Sequence, residues 1–112
     1  MVAISTKNAN HFLKDDFDVN HHNFRDLISI NNEKPHLIWF KDEDEWEGWN
    51  QRSDPVLHID LMKLSSVMVI APLSANTMGK IVNGLADNLL TCVARAWNYK
   101  QKLFIVAPAM NT

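Results

Sequence analysis

Residues 67–77 read Val-Met-Val-Ile-Ala-Pro-Leu-Ser-Ala-Asn-Thr, and this stretch decides the fold class. The apolar run Val67–Ala71, bounded by Pro72, predicts a strand that is covered on both faces of a sheet. Ser74-Ala75-Asn76-Thr77 then supplies small and polar residues where the strand gives way to a helix. At such an exit, side chains and free backbone amides can converge on one ligand at the carboxyl edge of a parallel sheet.

A second strand exit of the same form lies near the end of the sequence. Leu103–Val106 predicts a strand, and Pro108-Ala109-Met110-Asn111-Thr112 follows it. Because the carboxyl ends of parallel strands lie at the same edge of a sheet, we expect the two exits to share one site.

The rest of the chain predicts strands that alternate with helices. Two further strands are expected, at Val2–Ser5 and Leu37–Phe40. Three helices are expected at Asp42–Trp49, at Val56–Leu64 after Pro55, and at Met78–Leu85. A fourth helix is expected after Asp87, which would be its N-cap, and its apolar face would be formed by Leu89, Leu90, Val93 and Trp97. A turn or brief helix is expected at Lys7–Leu13 and a polar loop at Asp15–Glu33. This alternation indicates an α/β fold with a mostly parallel sheet.

Length and composition bound the classes of protein that this chain can represent. With 112 residues, 46% of them hydrophobic and 21% charged, it has the balance of one ordinary globular domain. A formal net charge of -2 without a basic stripe argues against nucleic-acid binding. The longest apolar run, Val67–Leu73, is too short to span a bilayer, and residues 1–5 lack the features of a secretory signal. A single cysteine, Cys92, excludes an internal disulfide, so we expect a reducing compartment, the cytoplasm.

Each candidate for chemistry also has a structural interpretation. Ser74–Thr77 suits a phosphate or the polar edge of a heterocycle, but the same residues are ordinary helix caps. His58, flanked by apolar residues and near Asp54 and Asp60, is either a general base oriented by a carboxylate or a packed histidine. Cys92 is interpreted as structural. A zinc site at His21 and His22 is not expected. The tryptophans are expected to pack in the core and at interfaces; they are Trp39, Trp46, Trp49 and Trp97.

Five stretches together resemble the flavin-containing cysteine decarboxylase family, in particular its pantothenate branch in plants and animals. They are Asp42–Trp46, Asp54–Leu61, Ala71–Thr77, Asp87–Cys92 with Arg95–Trp97, and Pro108–Thr112. They occur in the family's order and at similar spacing, from Phe40 to the last residue. Five separate motifs in register make an accidental match hard to obtain.

The resemblance implies a flavodoxin-like (Rossmann-like) three-layer fold, FMN as cofactor, and a homotrimer with active sites between subunits. It implies FMN contacts at Thr6, Ser74, Ala75, Asn76, Thr77 and Ala109. It also implies that His58 is catalytic and that Asn111 binds the substrate carboxylate. The implied substrate is 4'-phosphopantothenoylcysteine, which is decarboxylated to 4'-phosphopantetheine in coenzyme A biosynthesis. FMN then supplies the electron sink, and the protein supplies orientation and proton transfer.

The chain also departs from the family pattern. We expect a partial domain over residues 1–112 that lacks the first, central strand with its Gly-Ser phosphate turn. We expect it also to lack the C-terminal part with its substrate clamp and proton-donating cysteine, a role that Cys92 does not fill. Two open strand edges are then expected, which face each other or seek a partner chain, together with weak FMN binding and an incomplete reaction by this chain alone. The alternative is a non-catalytic regulatory subunit, which joins a full-length paralogue as the family's phosphatase-inhibitory members do.

Overall fold

A computed structural model describes residues 2–9, 38–47 and 49–110 of the chain. Strands in these ranges are β1 (Val2–Ile4), β2 (Ile38–Phe40), β3 (Val67–Leu73) and β4 (Leu103–Pro108). Helices are α1 (Asp44–Glu47), α2 (Leu57–Leu64), α3 (Ala75–Val82) and α4 (Leu89–Ala96), and residues 7–9 are also helical. The predicted alternation of strands and helices is confirmed. The predicted loop Asp15–Glu33, with His21 and His22, lies outside the described residues.

The chain divides into two compact units, residues 1–57 and 58–112. In the first unit, β1 and β2 pair in parallel, with Val2 opposite Ile38 and Ile4 opposite Phe40. The amide of Ser5 continues this ladder by donating to the carbonyl of Phe40 at 2.9 Å. Phe40 itself is buried.

In the second unit, β3 and β4 pair in parallel, with Val67 opposite Leu103 and Ile70 opposite Val106. One side of this strand pair is covered, because Met68 and Ile70 on alternate positions of β3 are buried. The buried apolar residues of this unit are Leu61, Met68, Ile70, Leu73, Leu89, Val93, Ala94 and Trp97. The face of α4 predicted from Leu89, Val93 and Trp97 therefore belongs to the core.

The other face of this strand pair is bare within the described residues. Val67 and Val69 of β3 are 45% and 58% exposed, and their partners Leu103 and Ile105 of β4 are 63% and 49% exposed. The prediction that β3 is covered on both faces is therefore wrong for the part of the chain that the structure describes. The apolar run correctly predicted the strand, but it cannot tell whether a second layer packs on it.

Pro72 does not end β3, as the sequence suggested. The strand continues to Leu73, which pairs with Pro108 after a register irregularity that follows Ile70, and the Ala71–Pro72 peptide bond is cis. Proline has no amide hydrogen to donate, so it is tolerated where a ladder is interrupted by such an irregularity.

Gly84 terminates α3 in a Schellman motif. Its φ is +72°, the left-handed region that glycine adopts without steric cost. The amide of Leu85 donates to the carbonyl of Lys80 at 2.9 Å, and the amide of Gly84 donates to that of Ile81 at 3.2 Å. The helix therefore ends at Val82, and the prediction that it reaches Leu85 is wrong.

Asn88, and not Asp87, caps α4. The Asn88 side chain accepts from the amide of Thr91 at 2.8 Å, and the Thr91 hydroxyl accepts from the amide of Asn88 at 3.1 Å, which completes a capping box. Asp87 instead pairs with Lys80 at 2.8 Å across the turn between α3 and α4. The hydrogen bond from Lys80 holds the pKa of Asp87 below its ordinary value. The predicted cap was thus one residue too early.

The tryptophans divide into buried and exposed members. Trp97 is 4% exposed and packs in the core, as expected, whereas Trp46 and Trp49 are 69% and 42% exposed. Their rings meet edge to face with centroids 6.4 Å apart. These two therefore do not pack in the core, and packing at an interface stays the prediction for them; the side chain of Trp39 lies outside the described residues. In the described ranges no helix combines the length and the apolarity that crossing a membrane requires.

Candidate functional site

The two predicted strand exits meet in the structure. The amide of Ala109 donates to the carbonyl of Leu73 at 2.9 Å, so the residue after β4 is joined to the last residue of β3. Ser74 follows Leu73 directly and begins the turn into α3. The sequence prediction that both exits share one edge of a parallel sheet is confirmed.

Ser74 is the N-cap of α3. Its hydroxyl accepts from the amide of Thr77 at 3.2 Å and donates to the Thr77 hydroxyl at 3.1 Å, and its carbonyl accepts from the amide of Met78 at 2.9 Å. The structural interpretation of this turn as a helix cap is therefore correct. The amides of Ala75 and Asn76 also belong to the first turn of the helix, and the cap does not bind them.

The same turn has the chemistry of a binding edge. Ser74, Ala75, Asn76 and Ala109 are all exposed, and Thr77 is half-buried. The edge therefore offers two backbone amides from the start of α3, two hydroxyls and one carboxamide, next to the backbone of Ala109. Such a set can bind a phosphate or donate to the carbonyl and nitrogen edge of a heterocycle. A cap and a ligand site are compatible here, because the cap occupies only part of the donors.

His58 is the second residue of α2 and is half-buried. The other end of α2 lies near the start of β4, because the Lys102 ammonium donates to the carbonyl of Met62. Helices in an α/β layer usually run antiparallel to the strands they cover, so we expect the start of α2, with His58, to lie toward the edge where β3 and β4 end.

Asp54, one of the two carboxylates near His58 in sequence, holds a turn of its own. Its carboxylate accepts from the amides of Asn50 at 2.8 Å and Gln51 at 3.0 Å. Asp60 lies within α2.

Thr6 and Asn111 complete the predicted set. Thr6 belongs to the first unit, where it follows β1 and its hydroxyl accepts from the amide of Ala9 at 3.3 Å. It is thus another residue at a strand exit that opens a helical turn. Asn111 lies outside the described residues, so its role remains an expectation from the family resemblance.

Lys102 is a residue that sequence reasoning missed. Besides its bond to Met62, its ammonium lies 5.0 Å from the centroid of the Trp97 ring. The indole Nε1 of Trp97 is buried and has no hydrogen-bond partner among the described residues. Lys102 and Met62 are forty positions apart in the sequence, so no local pattern signals their contact.

Cys92 is half-buried in α4, where its thiol donates to the carbonyl of Ala86 at 3.6 Å. Its placement in the packed helix agrees with the structural interpretation. Over residues 2–9, 38–47 and 49–110, no group of three or more His, Cys, Asp or Glu side chains is arranged to hold a metal ion.

The sequence model of the Flavoprotein family matches residues 1–112. The chain is 52% identical over 110 residues to a phosphopantothenoylcysteine decarboxylase of Arabidopsis thaliana, and the matched stretch covers 98% of this chain and 45% of that protein. It is 53% identical over 76 residues to the phosphopantothenoylcysteine decarboxylase subunit SIS2 of Saccharomyces cerevisiae, covering 68% of this chain and 13% of that protein. The chain thus spans less than half the length of these relatives.

Solved structures give the same picture of the fold. The FMN binding protein AtHal3 superposes with a TM-score of 0.75 at 50% identity, over 99% of this chain and 51% of that one. A Cys→Ser mutant of PPC decarboxylase complexed with pantothenoylaminoethenethiol gives 0.74 at 48% identity, over 99% of this chain and 52% of that one. The predicted flavodoxin-like α/β fold is therefore confirmed.

Proposed function

Because the chain belongs to the Flavoprotein family, we propose that it carries the FMN-binding edge and the catalytic histidine of a decarboxylase acting on 4'-phosphopantothenoylcysteine. The observation that carries this proposal is the meeting of the two strand exits through Ala109 and Leu73. The chain spans about half of the relatives that bear the decarboxylase name, so the proposal concerns the part of the reaction that these residues perform.

The donor set at this edge fits FMN. Ser74, Asn76 and Thr77 offer side-chain donors and acceptors, and Ala75 and Asn76 offer backbone amides at the start of α3. A flavin has both a polar heterocycle edge and a phosphate, and either group suits such a set. Thr6 of the first unit and the exposed Ala109 are proposed as further FMN contacts.

In the proposed reaction, bound FMN supplies a reversible electron sink for the cysteinyl end of the substrate. His58 acts as the base that takes the proton near the substrate thiol, because a neutral imidazole nitrogen can accept a proton. Asn111 donates hydrogen bonds that hold the substrate carboxylate until its carbon–carbon bond breaks and carbon dioxide leaves. The chain's own residues thus orient the substrate and move a proton.

We further propose that the chain functions in the cytoplasm and in an oligomer, as a homotrimer or together with a full-length paralogue. The bare face formed by Val67, Val69, Leu103 and Ile105 supports association, since apolar patches of this kind mark interaction surfaces. The name of the yeast relative describes a decarboxylase subunit, which agrees with an assembly. These comparisons do not favour a purely regulatory role.

The FMN-binding edge can be tested in a chimera in which this chain replaces the matching stretch of the Arabidopsis relative. Asn76→Ala removes one exposed carboxamide and introduces a good helix former, so the fold is kept. We expect FMN affinity, measured by flavin fluorescence, to fall by about tenfold, which corresponds to the loss of one or two good hydrogen bonds. The matched control Asn50→Ala, an exposed residue of the first unit, should leave the affinity unchanged. Equal FMN affinity in the Asn76→Ala chimera and its parent would place the flavin elsewhere.

A further inference from the structure

Lys102 makes two contacts that link α2 to the core of the second unit. Its ammonium donates to the carbonyl of Met62 in the last turn of α2, and the same ammonium lies 5.0 Å from the centroid of the Trp97 ring. That distance is within the range of a cation–π interaction. Trp97 is 4% exposed and packs in the core, so its ring holds the Lys102 ammonium against the core.

The end of α2 needs such a partner. The last four carbonyl groups of a helix receive no hydrogen bond from an amide of the same helix. Here the amide of Ser65 donates to the carbonyl of Leu61 at 3.1 Å, and the Lys102 ammonium donates to the next carbonyl, that of Met62. A cation at this position also opposes the negative end of the helix dipole.

This link is close to His58 along the helix. Met62 follows His58 by four residues, so the helical hydrogen bond of the Met62 amide is made to the His58 carbonyl. Leu57 and Leu61, which are 8% and 2% exposed, anchor one face of the helix by burial, but neither is among its last three residues. The Lys102 contact adds an attachment at the carboxyl end of the helix, where the buried leucines do not hold it.

We propose that Lys102, held against Trp97, is a positioning residue that fixes the direction of α2 and thereby the placement of the His58 imidazole. The inference rests on the proposed catalytic role of His58 for its functional consequence, but not for its structural content. A displacement of about 1 Å in a catalytic group can cost up to a hundredfold in rate, so a modest tilt of α2 has a measurable effect.

The test uses Lys102→Met, which keeps most of the side-chain stem and removes the charge and the donor. Lys102→Arg keeps a cation that can both donate and stack on the indole. Lys100→Met is the matched control, because it removes one exposed lysine two positions away. All three variants are made in the full 112-residue chain.

The first readout is the NMR signal of the His58 imidazole, which is assigned among the five histidines by its loss in His58→Asn. We expect Lys102→Met to shift or broaden this signal and to speed amide exchange at Ser65 by about tenfold. We expect Lys102→Arg to restore both and Lys100→Met to change neither. An unchanged His58 signal in Lys102→Met, or an equal change in Lys100→Met, would overturn the proposal.

The second readout is turnover in the chimera with the Arabidopsis relative. We expect Lys102→Met to lower kcat by about tenfold while KM and FMN affinity stay the same, and Lys102→Arg to recover most of kcat. A fall in FMN affinity instead of kcat would contradict the positioning role. If the His58 signal moves as expected but His58→Asn keeps full activity, the link stands and the proposed catalytic function fails.

Discussion

Single residues fix the ends of α3, and they do so by different means. At its start, the Ser74 hydroxyl occupies the amide of Thr77 and leaves those of Ala75 and Asn76 for other partners. At its end, Gly84 adopts a φ of +72°, which lets Leu85 and Gly84 itself close the Schellman motif. The helix that begins at the proposed FMN edge thus has a defined length because of one hydroxyl and one glycine.

Gly84→Ala is expected to lower the free energy of unfolding by about 1 kcal/mol, because an L side chain is strained at this φ. The matched control is Gly79→Ala, in the middle of α3, where an added Cβ meets no atom within 4 Å. Gly79→Ala should raise the free energy of unfolding by up to about 1 kcal/mol, because alanine is the better helix former. Urea denaturation measures both, and equal effects of the same sign would contradict the role assigned to Gly84.

At the scale of elements, α4 is the best-defined helix of the second unit. It begins with a reciprocal capping box between Asn88 and Thr91, and it buries Leu89, Thr91, Val93 and Ala94. Thr91 is 1% exposed and Asn88 is half-buried, so the box is partly screened from water. The start of α4 is therefore specified by polar contacts as well as by its apolar face.

Asn88→Ala is expected to lower the free energy of unfolding by about 1 kcal/mol, because it removes the acceptor for the Thr91 amide. Asn88→Asp retains an acceptor and should restore most of that loss. Thermal denaturation followed by circular dichroism gives the comparison. Similar losses in both variants would show that the cap contributes nothing specific.

The elements could be predicted from sequence, whereas several of their contacts could not. Apolar runs and helical spacing correctly predicted β3, β4 and α4, because those signals are local. The cap of α4 was misplaced from Asn88 to Asp87, since both residue types suit an N-cap and only the structure shows which one faces Thr91. Lys102 was missed because its partner Met62 is remote in sequence. The meeting of Leu73 with Ala109 after β4 was predictable because strands that run in parallel end at the same edge of the sheet.

At the scale of the molecule, the described chain has a one-sided sheet in its second unit. Parallel sheets are ordinarily covered on both faces, yet Val69 and Ile105 sit opposite each other and are 58% and 49% exposed. Relatives of the Flavoprotein family are about twice as long as this chain. The exposed face is therefore where we expect the 112-residue chain to associate when it is studied alone.

The double variant Val69→Thr with Ile105→Thr is expected to reduce self-association of the chain in sedimentation velocity. Its free energy of unfolding should change by less than about 0.5 kcal/mol, because both side chains are exposed. The control Ile70→Thr lies on the buried face, at 5% exposure, and should cost about 2 kcal/mol. Undiminished self-association of the double variant would show that another surface is responsible.

We propose that this chain brings His58, as the catalytic histidine of a flavin-dependent decarboxylase, to the proposed FMN-binding edge. The most direct measurement is carbon dioxide release from 4'-phosphopantothenoylcysteine by the chimera with and without His58→Asn, with His36→Asn as the matched control. We expect His58→Asn to lower the rate by at least about a hundredfold, the usual contribution of a general base, while the bound FMN absorbance stays the same. Full carbon dioxide release by His58→Asn, or loss of FMN in that variant, would contradict the account.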